Sequence, residues 1–198
     1  MKRDVTVISL RQFESAGGLF DGYSFDDFSC PLNEEAQDFL RKKAVLSLHL
    51  GASMTYLVYD NKTSRLLGYF TLVLKPFSIE GGNLSKTKCR LIERFADVDK
   101  NRYTAAVYLI AQIGKNFALD DGERISGDEL LKLVFEKLYA ARELVGGKLV
   151  LVERDMKSPE LVKSYARWNF QTWSERHDDK GGVDHDQMLC VLSNALVA

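Results

Sequence analysis

The chain has 198 residues, 45% of them hydrophobic and 28% charged, with a formal net charge of −1. That is enough chain for one ordinary domain, residues 1–198, with a substantial core. The mix is that of a globular protein, and its near-neutral field argues against nucleic-acid binding by the molecule as a whole. One local exception is the basic segment holding Lys86, Lys88, Arg90 and Arg94. Cys30, Cys89 and Cys190 are odd in number and lie at no metal-ligand spacing, which suits free thiols in a reducing compartment. No apolar run approaches the roughly 20 residues that span a bilayer. The opening MKRDVTVISLRQFES is broken by charges and lacks a signal-peptide apolar core, so a cytoplasmic protein without a membrane partner is expected.

Val5, Val7 and Ile8 predict a first strand over Asp4 to Leu10, and the Gly-, Phe- and Asp-rich stretch from Gln12 to Pro31 has no clear boundaries. Asn33 is an N-cap followed by two acids, and Ala36, Phe39, Leu40 and Ala44 recur at helical spacing until Gly51. Thr55 to Tyr59 and Leu67 to Leu74 predict a hairpin around Asp60-Asn61-Lys62, with Pro76 ending its second strand. Phe77 to Arg102 reads as an insertion with one short helix around Lys88 to Phe95.

Ala105 to Lys115 is apolar almost throughout, as a strand buried on both faces would be. Gly114 within it marks a bulge or a close backbone approach. The loop Gly122-Glu123-Arg124-Ile125-Ser126-Gly127 opens a helix running to Leu144, with an apolar stripe of Leu130, Leu131, Val134, Leu138, Ala141 and Val145. Backbone amides at such a helix entry form a phosphate-binding device, although Asp128 and Glu129 in the first turn oppose a bound phosphate. Gly146-Gly147 supplies a left-handed cap before a strand over Lys148 to Val152. Ser158-Pro159 opens a last helix carrying Tyr165 and ending at Asn169-Phe170, and Met188 to Leu192 closes the sheet. Order and periodicity together predict a mixed α/β sheet with its parallel pair in the centre.

The run from Tyr103 to Phe170, with its strand, loop, helix, strand and tyrosine-bearing helix, resembles the acyl-coenzyme A core of the GNAT N-acetyltransferases. The family's loop pattern is Gln/Arg-x-x-Gly-x-Gly/Ala; here Gly127 matches, while Gly122 and Ile125 depart from it. The family's Gly-Phe is Asn169-Phe170 here, and Ser164 stands where an apolar partner of the tyrosine is usual. The resemblance implies a GNAT-like mixed sheet with splayed parallel central strands flanked by helices. It implies acetyl-CoA as co-substrate, with Ile113 and Lys115 pairing to its pantetheine arm. Gly122, Arg124, Ile125, Ser126 and Gly127 would cradle its pyrophosphate, and Ser158 would cap the last helix beside it. Tyr165 would be the general acid that protonates the departing thiolate, in a transfer of acetyl to a primary amine; Glu153 is the candidate base.

SFDDFSCPLNEEAQDFLRKKA, GASMTYLVYD and GYFTL further resemble the toxin-type branch, which acetylates the amino group of aminoacyl-tRNA. That branch implies tRNA or an antitoxin as partners; a homodimer is the expected assembly. A small-molecule or peptide amine acceptor, and a catalytically silent acyl-CoA-binding or partner-binding module, are the other readings. His177, Asp178, Asp179, Asp184, His185 and Asp186 crowd around Gly181-Gly182, a pattern read as a solvated acidic hairpin rather than a metal site.

Overall fold

A computed structural model describes residues 3–19, 24–155, 159–176 and 185–193. The fold is mixed α/β with an eight-stranded sheet and flanking helices. The chain forms two compact units, Met1–Val73 with Ala111–Phe135, and Leu74–Ile110 with Glu136–Ala198.

In the first unit, β1 (Val5–Ser9) pairs antiparallel with β2 (Met54–Asp60), which pairs antiparallel with the start of β3 (Leu66–Glu80). Asp60 shapes the β2–β3 turn by accepting from the Lys62 and Thr63 amides, each at 2.9 Å. β1 ends sooner than the sequence suggests, because Ser9 caps a helix, α1 (Leu10–Ser15), in a capping box with Gln12. Asn33 caps α2 (Glu34–Asp38) through the Ala36 amide; the helix widens into a π turn at Phe39–Lys43 and resumes as α3 (Ala44–His49). Ala36, Leu40, Ala44 and Leu48, four residues apart, are all buried and pack with Phe28, Leu57 and Tyr69 in this unit's core.

Pro76 does not end β3, which continues to Glu80. Pairing with β2 stops at Leu72, so the later half of β3 has no β2 partner on that edge, where proline's missing N–H costs little. Residues 77–80, expected in an insertion, are therefore strand. The rest of the insertion holds α4 (Lys86–Ile92), capped by Ser85, and β4 (Asp97–Asp99), which turns into β5 (Arg102–Lys115). The two turn residues, Lys100 and Asn101, have φ of 45° and 68°, the positive pair a tight hairpin requires.

The second unit holds that hairpin and the parallel pair. β5 pairs with β6 (Leu149–Asp155) from Val107↔Leu149 to Ile110↔Val152, and β8 (His185–Val191) lies antiparallel between β6 and β7 (Gln171–Arg176). β5 is not apolar-faced throughout. Arg102, Thr104 and Ala106 are exposed while Tyr103, Ala105 and Val107 are buried, so burial on both faces is confined to its middle. The core here gathers Phe77, Ile92, Val107, Leu149, Leu151 and Trp173.

α5 (Gly127–Val145) buries Leu130, Leu131, Val134 and Leu138, but Val145 is 67% exposed and leaves the expected stripe in the last turn. Gly146 and Gly147 take φ of 72° and 87°, ending that helix. α6 (Pro159–Arg167) is closed by Asn169 at φ 61°, the left-handed conformation expected of it.

Candidate functional site

The loop from Asp120 to Gly127 lies wholly in the first unit and is held by its own bonds. The carbonyl of Asp120 accepts the Glu123 amide at 2.9 Å and the Arg124 amide at 3.2 Å. Ser126 donates its amide to Glu129 Oε2 at 2.9 Å and its hydroxyl to the same oxygen at 2.7 Å, while the Glu129 amide returns to Ser126 Oγ at 3.1 Å. This reciprocal capping box opens α5. Hydrogen bonds from Ser126 hold the Glu129 carboxyl below its ordinary range.

The amides of Ile125 and Gly127 have no acceptor among the described residues. Open space lies beside Gly122 and Gly127, where an added Cβ would meet nothing within 4 Å. The Ile125 and Gly127 amides stand at the places of the family's two glycines, and the Gly122 amide likewise has no acceptor among the described residues. The Glu129 carboxylate already fills the anion position on Ser126. The side chain of Ile125 is buried and anchors the loop rather than offering a surface.

Arg124, expected as a charge partner for phosphate, points inward. Its Nε donates to Leu119 O at 2.8 Å and its Nη2 to Phe117 O at 3.1 Å. It also bonds the Asp121 carboxylate and lies 5.0 Å from the Phe117 ring centroid. Sequence reading missed Arg3, whose guanidinium binds the Glu123 carbonyl and donates to the Arg124 carbonyl at 3.2 Å. Arg65 pairs with the Glu123 carboxylate at 2.7 Å. A cavity of about 190 Å³ beside the loop is lined by Arg3, Asp60, Arg65, Leu67, Gly122 and Glu123.

Ile113 and Lys115 lie on the part of β5 beyond Ile110, where the register with β6 has ended; both are partly exposed, and the Lys115 ammonium sits 5.3 Å from the Phe117 ring centroid. Gly114 is explained by side-chain packing rather than by a ligand's backbone. A Cβ there would lie 3.1 Å from Phe28 and 3.2 Å from Tyr69. The close backbone approach belongs to Gly68, whose Cβ would lie 2.6 Å from Gly114 O.

In the second unit Tyr165 is 5% exposed and meets Phe170 edge-on at 5.4 Å. Its carbonyl accepts the Trp168 and Phe170 amides, folding the helix end back under the ring. Ser158 lies outside the described residues, as do His177, Asp178, Asp179 and Asp184. Asp186, of the same acidic segment, is buried in β8. Among the described residues no three His, Cys, Asp or Glu side chains are grouped to hold a metal ion.

Glu153, near the end of β6, belongs to a polar chain that cross-strand register makes possible, since Gln187 faces both Glu153 and Ser174. Gln187 donates to Glu153 at 2.8 Å, Ser174 donates to Gln187 at 2.6 Å, and the Lys75 ammonium is 3.5 Å from Glu153. A carboxylate so engaged is a structural anchor first, with part of its lone-pair capacity already committed.

No protein-family model matches the sequence, and no curated protein is detectably similar to it. Solved structures are. AtaT complexed with acetyl-methionyl-tRNAfMet superposes with a TM-score of 0.60 at 17% identity, covering 95% of each chain. A tyrosine-to-phenylalanine mutant of KacT gives 0.61 at 19% identity, covering 94% of this chain and 95% of the other. A similar mutant of the AtaT toxin, bound to the C-terminus of the antitoxin AtaR and acetyl-CoA, gives 0.56 at 15%, covering 95% and 93%. The chain has the GNAT fold of these toxins. That fold accounts for the two features the sequence placed at its centre, a parallel β5–β6 pair and a helix entered through an amide-bearing loop.

Proposed function

We infer that residues 1–198 form one acetyl-CoA-dependent N-acetyltransferase domain that moves an acetyl group to a primary amine. The observation that carries this reading is the parallel pair, whose register stops at Ile110 and Val152 while β5 runs on to Lys115. A strand edge without a neighbour offers N–H and C=O groups to an extended amide-bearing ligand, and Ile113 and Lys115 lie on the stretch of β5 beyond its register with β6. Acetyl-CoA in the AtaT and AtaTR structures supports it as the co-substrate here.

When bound, acetyl-CoA supplies the thioester carbonyl that the neutral amine attacks. Amides of β5 beyond Ile110 polarise that carbonyl, and the amides of Ile125 and Gly127 hold the pyrophosphate. The Tyr165 hydroxyl gives its proton to the leaving sulfur. Glu153, already bonded to Gln187 and paired with Lys75, is the candidate acceptor of the proton the attacking amine loses.

The acceptor is a small-molecule or peptide amine, or the amino group of an aminoacyl-tRNA. AtaT's complex with acetyl-methionyl-tRNAfMet supports the last of these, and the AtaR complexes support an antitoxin partner. A homodimer is the assembly proposed. A catalytically silent acyl-CoA-binding or partner-binding module is the second reading, favoured by one observation: Glu129 fills the anion position on the loop.

Thermal unfolding against acetyl-CoA concentration tests the cofactor. The midpoint should rise with ligand by mass action, and Gly127→Glu, whose side chain enters open space, should abolish the rise and leave the fold intact. No rise at millimolar acetyl-CoA overturns both readings. A rise without thiol release across an amine panel favours the silent module.

A further inference from the structure

We propose that Arg3 is a positioning residue for acetyl-CoA, one that turns the Ile125 amide outward to the pyrophosphate. The proposal rests on the cofactor reading above and adds to it a residue far from the loop in sequence. The Arg3 guanidinium gathers three consecutive loop carbonyls: Gly122 at 3.4 Å, Glu123, and Arg124 at 3.2 Å. Its neighbour Asp4 holds it in place. The Asp4 carbonyl accepts the Asn61 backbone amide at 3.1 Å, and its carboxylate accepts the Asn61 side-chain amide at 2.7 Å. β1 then enters register with β2 at Val5↔Asp60.

The C=O and N–H of a trans peptide point in opposite directions, and no peptide of the loop is cis. A carbonyl bound on one side therefore aims the next residue's amide to the other. For the first two carbonyls that amide is already used, since Glu123 and Arg124 both donate to Asp120 O. The third carbonyl belongs to the Arg124–Ile125 peptide, whose N–H has no acceptor among the described residues. Two of the bonds secure the loop, and the third orients a free donor. A cation on that carbonyl also polarises the peptide and strengthens the donor at its other end.

Neither nearby arginine duplicates this contact. Arg124 spends its guanidinium on the Leu119 and Phe117 carbonyls, and Arg65 pairs with the Glu123 carboxylate instead of the loop backbone. The field of Arg3 reaches the helix entry as well. The Glu129 carboxyl, lowered first by hydrogen bonds from Ser126, is lowered further by the Arg3 charge. Arg3 thus brings to the loop the positive charge that residue type alone assigned to Arg124.

The test is calorimetric titration with acetyl-CoA and with millimolar acetyl-pantetheine, which has the same thioester and arm but no pyrophosphate. Arg3→Ala should weaken acetyl-CoA binding about tenfold, on the scale of one charge-assisted hydrogen bond, and leave acetyl-pantetheine binding unchanged. Arg3→Lys keeps the charge but lacks the planar fork that spans several carbonyls. It should weaken acetyl-CoA binding too, and it carries the test if the alanine variant fails to fold. Equal losses for the two ligands would give Arg3 a role in stability alone and overturn the proposal. So would acetyl-CoA binding equal to the parent's in either variant. A parent that binds no acetyl-CoA removes the cofactor reading itself, whereas a binding parent matched by Arg3→Ala removes only the role of Arg3.

Discussion

Both hydrogen-bond donors of Ser126 converge on one carboxylate oxygen of Glu129, at 2.9 Å from the amide and 2.7 Å from the hydroxyl. The contact stabilises the start of α5 and places an internal anion at the helix entry proposed to hold the pyrophosphate. The same two residues therefore set helix stability and the proposed cofactor access against each other. Removing the carboxylate should move the two in opposite directions.

Glu129→Gln keeps the shape of the cap and removes its charge. It should cost about 0.3–1 kcal/mol of stability, the charge–dipole share, while tightening acetyl-CoA binding, read by calorimetry. The pH dependence follows from the lowered carboxyl pKa. The stabilisation is complete above the unfolded glutamate value of about 4.3 and is lost as pH falls through the lower folded value. Melting curves of the parent should decline more steeply than those of Glu129→Gln below that point. Parallel acid limbs would show that the cap contributes nothing.

Gly68 and Gly114 make a graded pair. A Cβ at Gly114 needs a few tenths of an ångström from the rings of Phe28 and Tyr69, at 3.1 and 3.2 Å. A Cβ at Gly68 meets a backbone oxygen at 2.6 Å and forces a strand to move. Gly114→Ala should destabilise by about 1–3 kcal/mol, and Gly68→Ala by more. Chemical denaturation of the two variants ranks them; the reverse order would contradict the packing described.

Thiol chemistry should be selective. Cys190 is buried and its thiol is pushed up to about 12 by desolvation; burial also raises Cys30. Cys89 is partly exposed. Alkylation of the folded protein at pH 8 should modify Cys89 alone, with Cys30 and Cys190 reacting only on unfolding. Peptide mapping reads this directly, and early labelling of Cys190 would mean that β8 opens far more readily than its burial suggests.

Local chemistry made much of the fold legible. Asn33, Gly146-Gly147 and Asn169 announce their caps because each meets a specific backbone need, and the structure fulfils all of them. The lysine of the Lys100-Asn101 hairpin gave no such signal, since that residue type rarely takes positive φ. Pro76 misled because its meaning depends on which strand edge is paired. At the loop, residue types suggested an anion site, but Arg124 is turned inward by carbonyls and Arg3 arrives from 121 residues away to bind the Arg124 carbonyl. Contacts of that sequence separation leave no local pattern. Tyr165 was placed by motif alone, and the structure adds that its ring is buried against Phe170.

Tyr165→Phe tests the central claim most directly. The substitution removes one hydroxyl and almost no volume, so the edge-on contact with Phe170 and the fold should survive. The measurement is single-turnover thiol release from acetyl-CoA, against an amine panel that includes aminoacyl-tRNA, in parent and variant. The account predicts acceptor-dependent release by the parent and a fall of about 10²–10⁴ in the variant with acetyl-CoA affinity unchanged. Equal rates in the two proteins would remove Tyr165 from the chemistry, and acetyl-CoA binding without release to any acceptor would contradict acetyl transfer itself.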